Sequence, residues 1–174
     1  MSGAMREALI RPGAISANVE ILRKISGTPH MLIVVKAGGY GHGAVTAARA
    51  ALAGGADWLG TADIHEALEL REAGISAPVL AWLFGPGEDL TGAYEAGIDL
   101  GVSSIAQLEQ LLSVVSAGKP ARIHVKIDSG LGRNGLDPRD WDDFFVRLAL
   151  AQQANEARTI GIFTHLSGTS IAAD

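Results

Sequence analysis

Three observations in this sequence predict an α/β fold of parallel strands, about six of the eight units of a (β/α)8 TIM-type barrel. Short apolar runs alternate with amphipathic segments along the chain. The phrase EAGI occurs at Glu72–Ile75 and again at Glu95–Ile98, each time where a helix should close and a strand open, so one βα unit recurs about every 23 residues. No G-x-G-x-x-G follows the first apolar run, which lowers a dinucleotide-binding reading.

Taken in order, the first helix is expected from ISANVEILRKI, where Ile15, Val19, Leu22 and Ile25 fall on one face at helical spacing. Strands are expected at MLIVVK (Met31–Lys36), DWLGTA (Asp57–Ala62), PVLAWL (Pro78–Leu83), IDLGV (Ile98–Val102), RIHVKID (Arg122–Asp128) and TIGIFTH (Thr159–His165). Helices fill the gaps between them. In one, SIAQLEQLLSVV, the residues Ile105, Leu108, Leu112 and Val115 share a face. Asp63 followed by Glu66, and Ser104 followed by Gln107, have the form of capping boxes, whose side chains satisfy the free N–H groups opening a helix. Gly74, Gly97 and Gly118 fall where helices should end and a positive φ is wanted, which accounts for part of the count of 22 glycines. A typical barrel runs to about 250 residues. At 174 residues the chain is too short to close one, so residues 1–174 read as an incomplete barrel domain, its last strands and a second, β-rich domain absent.

A formal net charge of −5 with scattered lysine and arginine excludes the basic footprint of a nucleic-acid or anionic-membrane binder and points to small-molecule partners. The absence of cysteine excludes disulfides and thiolate metal sites and suits a reducing cytoplasm. The opening MSGAMREALIRPG lacks the apolar core of a secretory signal. No apolar stretch approaches the roughly 20 residues of a membrane span. A cytoplasmic protein is expected.

The chemistry concentrates in three stretches. In VVKAGGYGHG, Lys36 ends an apolar strand at the edge where parallel α/β folds assemble their sites, and a desolvated lysine favours the neutral amine that condenses with an aldehyde. Gly38, Gly39, Gly41 and Gly43 would let the backbone approach a bulky ligand, with Tyr40 and His42 close by. A lysine that caps the strand and reaches out to water, before an ordinary turn, explains the same spacing. On the fifth strand, Ile123, Val125 and Ile127 share one face and leave Arg122, His124, Lys126 and Asp128 on the other. Four ionisable groups facing inward call for partners or a polar ligand; a wet edge strand is the alternative. The loop DSGLGRNG then presents Arg133, either as a fork for an anionic oxygen or as a surface arginine. His165, closing the sixth strand, reads as a core histidine when taken alone.

Together, VVKAGGYGHG, HVKIDSGLGRNG and GIFTHL, in this order and spacing, resemble the N-terminal barrel half of alanine racemase, a pyridoxal phosphate enzyme. The resemblance implies that Lys36 carries the cofactor covalently and serves as the base on the D-alanine side. It implies that Tyr40 helps hold the phosphate and that Arg133 contacts the phenolic oxygen, positioned by Lys126, a lysine sometimes carbamylated in the family. His165 would support the arginine facing the pyridine nitrogen, and Trp82 would line the cofactor's edge, or simply be a buried aromatic. Gly38 stands where the family usually has asparagine, which is expected to loosen the turn, and the segment LSGTSIAAD departs from the shorter form of relatives. The opposing base would be a tyrosine from the second domain of a partner subunit, so the implied enzyme is a homodimer interconverting L- and D-alanine, and this chain alone is expected to bind the cofactor poorly and racemise nothing. Two other readings are carried beside it. One is a non-catalytic single-domain pyridoxal phosphate-binding protein, against which the GLGRNG loop stands. The other is an aldolase or lyase using a lysine Schiff base without the cofactor.

Overall fold

The computed structural model describes residues 5–167. Six parallel strands form one sheet in sequential order: β1 (Leu32–Val34), β2 (Trp58–Thr61), β3 (Val79–Ala81), β4 (Asp99–Val102), β5 (Ala121–Lys126) and β6 (Ala157–Phe163). The helical segments are α1 (Pro12–Ser26), α2 (Lys36–Tyr40), α3 (Ala44–Ala53), α4 (Ile64–Glu72), α5 (Thr91–Glu95), α6 (Ile105–Leu112) and α7 (Trp141–Gln153). Each unit adds its strand beside the previous one without reversal, so right-handed crossovers place the helices on one face and leave the other as a barrel lining. Among the described residues the sheet does not close. None of their helices is long and apolar enough to cross a membrane.

The two faces of the sheet differ as the two-residue period requires. Toward the helices, Leu59, Val79, Leu100, Val102, Ile123 and Val125 are sealed from water in one core with Ala48, Ala51, Leu70, Leu108 and Phe144. On the inner face, small and large residues interlock. A Cβ added at Gly60 would lie 2.8 Å from the Trp82 ring, and one at Gly101 would lie 2.9 Å from the Trp82 backbone. Those strand glycines make room for a large side chain, a use of glycine that turn positions did not suggest.

The inner face also corrects the reading of β5. Asp99, wholly buried at the start of β4, accepts hydrogen bonds from Nε and Nη2 of Arg122, from His124 Nε2 at 3.0 Å and from Trp58 Nε1 at 3.2 Å. Burial alone would raise its carboxyl, but the hydrogen bonds from His124 and Arg122, with their charges, outweigh it and hold Asp99 below the ordinary value of 3.8. Arg122 and His124 therefore have a protein partner and call for no ligand. Lys126 and Asp128 lie farther along, at the carboxyl end.

Several boundaries move. β1 stops at Val34, two residues before Lys36; β3 stops at Ala81, before Trp82; β6 stops at Phe163, before His165. α1 buries Val19, whereas Leu22 is 52% and Ile25 76% exposed, so only part of the expected stripe packs. The reason is the narrow contact with the alanine-rich α3, where Ser16 Oγ donates to Ala50 O at 2.8 Å, while Arg23 reaches past it to Asp57, just before β2, at 2.6 Å. α6 ends at Leu112, although Val115 still packs on the core. Both caps form, with Glu66 N donating to Asp63 Oδ1 at 2.9 Å and Gln107 N to Ser104 Oγ at 3.2 Å. Gly74, Gly97 and Gly118 take the expected positive φ.

Candidate active site

Lys36 is delivered by β1, whose pairing continues one residue past the strand as Val35 N donates to Gly60 O at 2.8 Å. The chain then turns in the left-handed sense. Ala37 (φ 51, ψ 49), Gly38 (φ 61, ψ 39) and Gly39 (φ 63, ψ 38) are followed by Tyr40 (φ 54) and Gly41 (φ 85). Left-handed backbone costs an L-residue about 1–2 kcal/mol, so glycine at three of these five positions makes the turn feasible. Its closure is firm: Gly39 N donates to Val35 O at 2.8 Å and Gly43 N to Gly38 O at 2.7 Å. The glycines thus set the handedness of the turn, and at Gly38 the φ of 61° suits glycine. His42 serves the same turn, with Nδ1 2.9 Å from Gly39 O.

At the carboxyl ends of the strands lies a cavity of about 370 Å³ whose walls include all six residues singled out from the sequence: Lys36, Tyr40, Trp82, Lys126, Arg133 and His165. Leu32, Val34, Leu80 and Phe163 form its apolar floor with His124. Lys36 Nζ lies 5.8 Å from the Trp82 ring centre and 6.0 Å from that of Tyr40, so it faces the cavity and is not the outward-pointing strand cap. Lys126 is buried, with Nζ 6.0 Å from the Phe163 ring. Its burial first, and the charge of Arg133 second, hold its amine below the usual 10.5 against the opposing pull of Asp128.

The loop after β5 is shaped by Asp128, whose Oδ1 accepts N–H groups from Gly130 at 2.9 Å and Gly132 at 3.1 Å. That turn carries Arg133 to the cavity mouth, exposed on its outer side. His165 is exposed at the rim, not in the core, because β6 has already ended. An adjoining space of about 340 Å³ shares Lys36, Trp82, Lys126 and Arg133 and adds Asn134, whose Oδ1 is buried without a hydrogen-bond partner among the described residues. Sequence reasoning passed over Asn134, although it adjoins Arg133 in the same motif, and over Phe163 and Thr164, which read as ordinary strand residues.

Among the described residues, three cations, Lys36, Lys126 and Arg133, line these spaces, and no carboxylate does. In a chain of net charge −5 this is a local inversion of sign. Such a pocket suits a small anionic ligand with an apolar body, and a free amine beside it suits a carbonyl group.

Comparison with known proteins agrees with this geometry. The family model for the N-terminal domain of alanine racemase matches residues 10–172. The alanine racemase of Thermobifida fusca is 51% identical over 162 residues, covering 92% of this chain and 43% of that protein. That of Salinispora tropica is 50% identical over 153 residues, covering 87% and 41% respectively. The crystal structure of alanine racemase from D-cycloserine-producing Streptomyces lavendulae superposes with a TM-score of 0.90 at 39% identity, covering 97% of this chain and 46% of that one. The chain therefore spans a little under half the length of these relatives. Part of the LSGTSIAAD segment, residues 168–174, lies outside the described residues.

Proposed function

Because this chain belongs to the alanine racemase N-terminal domain family, we propose that it is the cofactor-binding part of a pyridoxal phosphate-dependent racemase that interconverts L- and D-alanine. The observation that carries the proposal is the Lys36 amine facing a cavity that, among the described residues, is lined by cations and by no carboxylate. Pyridoxal phosphate fits that chemistry, with an aldehyde for the amine, a phosphate and a phenolic oxygen for the cations, and a flat ring for the apolar floor. When bound it supplies an electron sink that makes the α-proton of an amino acid removable.

The residues of this chain then divide the work. Lys36 would hold the cofactor through Nζ, and its amine would move a proton at the substrate Cα on the D-alanine side. Tyr40 offers its hydroxyl to the phosphate. Arg133 would direct its guanidinium to the phenolic oxygen, and Lys126, on the same cavity, would help to position it. Asn134 offers an unpaired oxygen to a donor at the same edge. Trp82 would line the cofactor's edge, and His165 would support the arginine that faces the pyridine nitrogen. The proton on the opposite face falls to a tyrosine of the partner subunit, in a homodimer working in the cytoplasm, as the family resemblance implies.

The test is covalent trapping. Borohydride reduction in the presence of pyridoxal phosphate is expected to fix the cofactor at Lys36, identified by peptide mass, and Lys36→Ala is expected to lose that adduct together with L- to D-alanine conversion by the intact protein. An adduct located elsewhere in the wild-type protein would overturn the assignment.

A further inference from the structure

We propose that Glu66 is a positioning residue for Lys36: its carboxylate ties the left-handed turn that carries the lysine to the end of β2. Glu66 Oε1 accepts the N–H of Ala37, the residue after Lys36, at 2.6 Å, and Oε2 accepts the N–H of Ala62 at 2.8 Å.

The internal repeat shows the same kind of tie. Gln107 occupies the equivalent place in the second capping box, and its one side-chain oxygen accepts from both Ser103 N and Ser103 Oγ at 2.9 Å. One oxygen directed at the residue before the cap is thus what this kind of helix start uses. At Glu66 the bond to Ala62 is the counterpart of that arrangement, and the second oxygen reaches the preceding βα unit, as Gln107 Nε2 does in donating to Phe84 O at 3.4 Å; at Glu66 the group reached is an N–H of the turn that carries Lys36. The second oxygen meets the turn at a strained point, for Ala37 is an L-residue held at φ 51°, ψ 49°. Hydrogen bonds from backbone N–H groups to a carboxylate are of the stronger, charge-assisted kind. The peptide unit between residues 36 and 37 fixes the direction in which the Lys36 side chain leaves the backbone, so holding Ala37 N holds the aim of Nζ. Glu66 touches neither cavity directly and acts through the turn.

This inference rests on Lys36 being the cofactor lysine, and the experiment separates the two. Wild-type, Glu66→Gln and Glu66→Ala proteins are compared in two measurements: hydrogen exchange of the segment containing Ala37, and the rate at which pyridoxal phosphate is fixed to Lys36 under borohydride. Thermal melts and the labelling rate of Lys126 serve as controls for global damage. The expected result is faster exchange at Ala37 and adduct formation slowed by about tenfold or more in Glu66→Ala. Glu66→Gln, which keeps one acceptor, is expected to fall between, with Lys126 labelling unchanged in both variants. If the wild type forms its adduct at Lys36 and both variants match it, the positioning role is overturned while the cofactor assignment stands. If the wild type forms no adduct at Lys36, the cofactor assignment fails, and this role fails with it. Loss of Lys126 labelling in parallel with Lys36 would mark Glu66 as a general stabiliser and overturn its specific role.

Discussion

Lys126 and Arg133 place two cations on one cavity, and the buried one bears the cost. Burial and the neighbouring guanidinium both disfavour the ammonium form of Lys126, so its amine should react with acylating reagents at lower pH than an ordinary exposed lysine side chain does. Removing the guanidinium removes part of that shift. In Arg133→Ala the pH midpoint for Lys126 labelling is expected to move upward, which peptide mass spectrometry across a pH series would read; an unchanged midpoint would mean that the two side chains do not feel each other. These residues were legible in the sequence because an ionisable group at the carboxyl end of an apolar strand is expensive without a task. Asp99 was not legible as their neighbours' partner. Its bonds to Trp58, Arg122 and His124 span 41, 23 and 25 residues of sequence, and a lone aspartate opening IDLGV looks like any strand start.

At the scale of elements, the turn after β1 and the first helix make opposite predictions. Gly43 ends the turn with φ 88° and ψ 117°, closes onto Gly38 and opens α3. A Cβ there has room, meeting only Thr46 at ordinary contact distance, so the penalty is backbone strain alone. Gly43→Ala is expected to destabilise by about 1–3 kcal/mol, measured by the urea midpoint. Ile25→Lys on α1 is expected to change stability by no more than about 0.5 kcal/mol, because the side chain is 76% exposed; a large loss would restore the packed stripe read from the periodicity. Helical spacing identified the helix and its inward residue Val19. It could not tell how wide a stripe the alanine-rich partner would cover, since that is a property of the pair.

Across the whole molecule, the two ends of the sheet carry different loads. Toward the amino ends of the strands, Asp99 and its three donors join β2, β4 and β5 across the inner face. Toward the carboxyl ends, the cations gather around open space. Since the folded Asp99 carboxyl is held below its ordinary value, the stability it contributes is fully present above pH 3.8 and is lost as pH falls through the lower, folded value. Asp99→Asn is expected to cost about 3 kcal/mol near neutrality. It should also flatten the acid limb of a urea-midpoint profile; a variant that kept the wild-type acid limb would show that other carboxylates govern it. The parallel, sequential order of the strands was legible from the EAGI repeat and the alternation of elements. The exact strand ends were not, because where pairing stops before Lys36 and before His165 is decided by neighbouring strands and turn geometry that apolar runs do not record.

The segment following Lys36 is, in effect, a short piece of mirror-image main chain inside an L-protein. At Gly38, where φ is 61° and ψ is 39°, a D-amino acid would rest in its own preferred basin. A semisynthetic protein bearing D-alanine at that position should be more stable by about 0.5–1 kcal/mol, through fewer conformations in its unfolded chain.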